Sequence, residues 1–193
     1  MVDVVNTVRA GLAEHFGGAE PVSAKVTFLG ADAIEILRFG PTGDGTYHYV
    51  SLGCSRNPMT DPMAMVSDDV AGPRAEVVVA LRGPTPTGLA RSIAVLASSP
   101  VVEGLVLEPD ALIDLQQPLW EPAPFNAFLL GVGEIGEIPL PEPYPPVRIL
   151  SATPITATEA AWVRLKGAEA MRLAWAQDGV DVLDQGRRAA QPS

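Results

Sequence analysis

The sequence predicts an α+β domain: a mixed, mainly antiparallel sheet flanked by an N-terminal helix, a mid-chain helix and a long C-terminal helix. Three observations carry this. Strand-like runs outnumber helical ones, two of the strands are joined by the tight-turn segment PTGDG, and no flexible linker or internal repeat divides the 193 residues. Residues 1–186 are expected to form one domain and residues 187–193, RRAAQPS, a flexible tail. A chain this long buries about 70 per cent of the surface it exposes when unfolded. Its 47% hydrophobic content supplies a core without disulfides, which the single cysteine excludes within the chain.

The elements follow in order. Val5, Val8, Leu12 and Phe16 recur at helical spacing and Gly17-Gly18 supplies a stop, so residues 3–16 form an amphipathic helix. AKVTFLG (24–30), AIEILRF (33–39) and TYHYVSL (46–52) read as strands. Asp44-Gly45 between the last two suits a turn that needs positive φ. AEVVVALR (75–82) is apolar enough for a strand buried on both faces. A helix opens near Thr87 with Leu89, Ile93 and Leu96 inward, and Pro100 lies beyond its end. Ten prolines between Pro100 and Pro146 restrict that region to short strands and turns, with LVL (105–107) and FNAFLLGV (125–132) the best strands. VRILSATPIT is a strand leading to the last helix, which Thr156 and Glu159 open as a capping box and Gly179 closes.

Charge limits the function classes. The net charge is -10; residues 1–147 hold 18 acids and 7 bases, and no Lys or Arg stands between Arg91 and Arg148. That interval carries Glu103, Glu108, Asp110, Asp114, Glu121, Glu134, Glu137 and Glu142. Direct nucleic-acid binding needs clustered cations, so it is excluded as an expectation. An acidic field instead attracts a basic protein partner, although it also serves as a solubilising surface. The N-terminal residues lack the apolar run of a signal peptide or anchor, and no stretch approaches the ~20 apolar residues of a membrane helix. A cytoplasmic protein with no membrane contact is expected.

No catalytic or cofactor motif survives inspection. In HYVSLGCS (48–55), a continuing strand would hold His48 and Cys54 about 20 Å apart at ~3.3 Å per residue, whereas a nucleophile and its base need about 3 Å. Cys54 therefore reads as a small buried residue. His15, His48 and Cys54 do not make a zinc set, and Asp61, Asp68 and Asp69 lack the spacing of a calcium loop. GVGEIG (131–136) matches G-x-G-x-x-G, yet Pro139, Pro141 and Pro143 forbid the helix a dinucleotide fingerprint opens, so it reads as a loop after an edge strand. No cofactor, metal or catalytic residue is expected.

The linear order of features resembles the suppressor-of-fused domain family. YVSLGCSRNPM followed by AEVVVALRG is similar to one hallmark, carried by Ser51, Gly53, Ser55, Pro58, Met59 and Glu76. FNAFLLGVG and the C-terminal stretch from Val147 resemble the second, carried by Pro154, Ile155, Thr156, Glu159, Gly167, Ala170 and Asp184. The likeness runs from roughly residue 20 to 190. It implies an α+β interaction domain without a catalytic centre. Animal members bind and restrain a transcription-factor peptide and carry a second domain as well, and stand-alone bacterial members resemble immunity proteins of toxin conflict systems. The alanine-, proline- and arginine-rich composition fits a GC-rich bacterium.

The expected function is accordingly a non-enzymatic interaction domain, an immunity or regulatory protein whose acidic, Pro-rich face binds a basic protein. Asp110, Asp114, Trp120, Glu121, Phe125, Glu134 and Glu137 are the candidate contacts, the two aromatics as anchors unless they belong to the core. A hydrolase using carboxylates or Cys54, and a subunit of a homo-oligomer, are the competing readings.

Overall fold

The computed structural model describes every residue except 62, 64, 67, 69 and 193. Its centre is a seven-stranded sheet of order β1-β2-β3-β4-β7-β6-β5. The strands are β1 (Val22–Phe28), β2 (Ala31–Phe39), β3 (Thr46–Leu52), β4 (Arg74–Arg82), β5 (Leu112–Asp114), β6 (Phe125–Ile138) and β7 (Val147–Thr156). Only β4 and β7 run parallel; the other neighbours are antiparallel. The helices are α1 (Val4–His15), α2 (Leu89–Glu103), α3 (Ala157–Lys166) and α4 (Ala168–Asp178). The predicted α+β class with a mostly antiparallel sheet is the observed one.

Side chains alternate across each strand, so the sheet presents two apolar faces. One face takes Val77, Val79 and Leu81 of β4 against Leu89, Ile93 and Leu96 of α2. The other face is shared. At one end Val4, Val8 and Leu12 of α1 cover Leu37, Val50, Val78 and Ile149. At the other, Ala160, Met171 and Trp175 of α3 and α4 cover Ala127, Leu129 and Ile155. Between Ile149 and Ile155 that face of β7 carries only Ser151 and Thr153, which belong to neither apolar cluster.

Several local expectations hold and several change. Asp44 closes the β2–β3 turn by accepting from Thr42 and Thr46, and Gly45 has φ +82°. The capping box of Thr156 and Glu159 is present. Helix α2, however, runs through Pro100 and stops at Gly104. The missing proline N–H frees the Leu96 carbonyl, which instead accepts from the Ser99 hydroxyl at 2.7 Å. Residues 105–107 form no strand; the outer strand is β5. GVGEIG lies inside β6 and not in a loop, because β6 continues to Ile138 around a bulge between Val132 and Gly136. The long C-terminal helix is two helices, broken at Gly167, whose φ of +93° a helical residue does not adopt.

The segment expected to be a loose tail is tied down at Arg187, Ala190 and Gln191. Arg187 is buried and grips Glu159 with both guanidinium nitrogens, at 2.8 and 3.0 Å, while also donating to the Pro154 carbonyl. Glu159 accepts further from Thr156 N, Trp175 Nε1 and Ala190 N. Arg187 lies over the rings of Phe125 and Trp175. A single buried carboxylate thus joins the β7–α3 corner, α4 and the chain end.

Burial pushes the Glu159 carboxyl up, but Arg187 and the amide and indole donors together hold it below its ordinary 4.5. Its contribution to stability is therefore present above pH 4.5 and lost as pH falls through the lowered folded value. Replacing Arg187 by Ala strands that charge and is expected to destabilise the fold by about 3–5 kcal/mol in urea unfolding at pH 7. A Glu159→Gln variant should show a shallower loss of stability on acidification than the parent, read from the same unfolding curves.

Candidate functional site

The YVSLGCSRNPM stretch around Cys54 is organised by two side chains of β4. Arg74 and Glu76 stand two residues apart on one strand and so project to the same side. Glu76 is fully buried and accepts four hydrogen bonds: from Ser51 Oγ (2.5 Å), Gly53 N (2.8 Å), Ser55 N (2.9 Å) and Ser55 Oγ (2.6 Å). Arg74, also buried, donates to the carbonyls of Ser55 and Arg56. One strand thus satisfies the donors and the acceptors of the turn at Cys54–Arg56. Gly53 enters that turn at φ +131°, where a side chain would also press on the Ala33 carbonyl at 3.2 Å. Burial raises the Glu76 carboxyl above its ordinary value, against the opposing pull of its four donors.

Cys54 is buried within this turn, and burial with the nearby Glu76 charge pushes its thiol well above the ordinary range. Both effects disfavour a thiolate, the form a nucleophile requires. Asp61 and Asp68 accept from backbone amides of their own turns, at Met63 for Asp61 and at Val70 and Ala71 for Asp68. Asp69 lies outside the described residues. Among the described residues, no three His, Cys, Asp or Glu side chains converge as metal ligands.

A groove opens on the sheet face left bare between α1 and α3–α4. The β4–β7 ladder ends at Val78–Ser151; beyond it the turn at 181–184 enters, and Arg82 bridges to Asp184. The resulting cavity has a volume of about 520 Å³. Val78, Ala80, Ser151 and Thr153 form its floor, the β6 bulge supplies Glu134 and Ile135, and His48 and Thr46 of β3 line the opposite side. Burial lowers the His48 pKa, the Glu134 and Asp44 carboxylates raise it and His15 lowers it, which places the four groups within electrostatic reach of one another.

The candidate contacts are scattered. Trp120 and Phe125 are buried and packed on each other, ring centroids 5.3 Å apart, so they are core and not surface anchors. Both follow from apolar area: an aromatic beside Pro-rich turns still buries when a sheet face is open to it. Asp110 pairs with Arg172 of α4 at 2.5 Å and Asp114 with Arg164 of α3 at 2.8 Å. Those two carboxylates hold the β5 margin to the C-terminal helices. Glu121 is exposed beside Pro118, Pro122 and Pro124. Glu134 and Glu137 are exposed on β6, Glu134 at the groove and Glu137 in register with Arg148. His48, Ser151 and Thr153, which sequence reasoning passed over as sites, share the groove with Glu134. Their one sequence signal was polar residues at alternate positions of otherwise apolar strands.

The family model for Suppressor of fused protein (SUFU) matches residues 30–188. Three solved structures share the fold. A SUFU homologue from Neisseria gonorrhoeae FA 1090 matches with TM-score 0.66 and 20% identity, over 98% of this chain and 97% of that one. A chain of the Sufu–Fu complex crystal structure matches with TM-score 0.70 and 13% identity, over 96% and 91%. Drosophila Suppressor of Fused matches with TM-score 0.71 and 14% identity, over 96% of this chain and 50% of that one. No curated protein matches.

Removing the Glu76 carboxylate should leave four buried donors unanswered. Glu76→Ala is expected to destabilise the fold by about 3 kcal/mol or more in chemical denaturation. A thiol reagent should label Cys54 only as fast as the protein unfolds, and faster in Glu76→Ala; rapid labelling of the native parent would contradict its placement.

Proposed function

The chain belongs to the suppressor of fused family, and from that premise we propose that it is a non-enzymatic protein-interaction domain. The reading includes an immunity or regulatory role in the cytoplasm and a basic protein as the partner. One observation carries it above the others. The fold extends over 91% of a chain crystallised in the Sufu–Fu complex, so this chain has the same scaffold as a protein that holds another protein.

Electrostatics favours a basic partner. The net charge is -10, and the Arg91–Arg148 interval contributes carboxylates alone. Asp110 and Asp114 are offset by Arg172 and Arg164, whereas Glu121, Glu134 and Glu137, with Glu103, Glu108 and Glu142, are exposed and form no ion pair among the described residues. Exposed carboxylates of this kind speed encounter and set specificity, and their effect falls with salt. Among the described residues no helix is long and apolar enough to cross a membrane.

Affinity capture of the tagged chain from its native lysate, at low and high salt, tests the reading. A single basic protein retained at low salt and weakened at high salt is the expected result. Empty captures at both salts would overturn it. With that partner in hand, joint replacement of Glu121, Glu134 and Glu137 by Gln should weaken binding about tenfold, the scale of two or three rim charges, while leaving the unfolding midpoint nearly unchanged.

A further inference from the structure

We infer that the groove between α1 and the C-terminal helices seats an arginine side chain of the basic partner, with Glu134 as its counter-ion; this rests on the interaction-domain reading above. The groove is a consequence of topology. Parallel β4 and β7 part after Val78 and Ser151, and the 181–184 turn that fills the far end of the gap, through Arg82, leaves its near end open. Small side chains keep the floor low: Ser151 and Thr153 stand between Ile149 and Ile155 on β7, and Ala80 follows Val78 on β4.

Gly131, paired with Ser151, makes room beside the floor for the Arg172 guanidinium. A Cβ there would meet Ser151 Oγ at 2.9 Å and the Arg172 guanidinium at 3.2 Å. At Gly133 a Cβ would strike the Ile149 carbonyl at 2.1 Å, so the bulged backbone lies directly on β7. These two glycines, which mimic a nucleotide fingerprint in the sequence, instead let the bulge carry Glu134 to the groove wall.

The lining chemistry selects the occupant. It contains two carboxylates and no lysine or arginine. Asp44 is already engaged by Thr42, Thr46 and Arg82. Glu134 has no ion-pair partner among the described residues. The hydroxyls of Ser151 and Thr153 likewise make no hydrogen bond within the described residues, and burial lowers the His48 pKa. A groove with one free carboxylate, two free hydroxyls and no lysine or arginine in its lining offers a guanidinium both a counter-charge and several acceptors. Val78, Val132 and Val182 flank the path that its methylenes would follow.

The test is an amide NMR titration of the full chain with three blocked tripeptides, acetyl-Gly-X-Gly-amide with X = Arg, Glu or Leu. The arginine peptide should give saturable shifts confined to residues 46–48, 78–80, 132–135 and 151–153, about tenfold weaker in Glu134→Gln, the scale of one charge-assisted hydrogen bond. Equal binding of the leucine peptide, shifts spread over the whole acidic surface, or an unchanged Glu134→Gln titration would each overturn the assignment. Thr153→Leu, which fills the floor, separates this idea from its premise. If it still captures the lysate partner at parental strength, the groove is not the seat although the domain does bind; if the parent captures nothing, the premise itself fails.

Discussion

The buried carboxylate of Glu76 is the constraint on which the central sheet depends. A buried carboxyl is tolerated only when its oxygens are engaged, and here all the donors come from one segment, residues 51–55, at the end of β3 and the turn after it. The β3 chain must therefore end where it does, rotate at Gly53 and present two amides and two hydroxyls to β4. Ser51 completes the exchange, since its oxygen also accepts the Val77 N–H at 3.0 Å. Arg74 then binds the carbonyls of the same turn. β3 is locked against β4, and β4 is the strand whose parting from β7 forms the groove.

A second buried carboxylate performs the matching task at the other end of the sheet. Glu159 collects the β7–α3 corner, the α4 indole and the chain end through Arg187. The two networks work in opposite electrostatic directions. Glu76 has only neutral donors and burial raises its pKa, while Glu159 has a guanidinium and its pKa falls. Between these fixed ends, the stretch of β7 at Ser151 and Thr153 is left uncovered. The groove is thus bounded by rigid elements, which favours recognition by a preformed recess over one that must be ordered on binding.

Much of this was legible in the residues, and the failures have physical causes. Strong periodicity marked α1, β2, β3 and β4, and Asp44-Gly45 marked the hairpin, because those signals are local. The strand's continuation over 133–138 was hidden, since the glycines of GVGEIG look like loop residues until the close approach of β7 explains Gly133. Pro100 looked like a helix end because the rescue by Ser99 of the Leu96 carbonyl cannot be read from propensity. RRAAQPS looked like a tail because nothing local says that Arg187 reaches Glu159, 28 residues away. Acidic residues were visible as a class, but only tertiary structure separates Asp110 and Asp114, held by arginines, from Glu134, which is not. The groove joins four strands and was beyond any local pattern.

Amide hydrogen exchange resolved to single residues tests most directly whether the two buried carboxylates hold the sheet. The amides of Gly53 and Ser55, bonded to Glu76, and of Ala190, bonded to Glu159, all lie outside α-helix and β-strand, Ser55 in a single 3-10 turn. The account predicts that they exchange as slowly as the central β3–β4 ladder, opening only with global unfolding. Exchange at the rate of an exposed loop, with the ladder still protected, would contradict it.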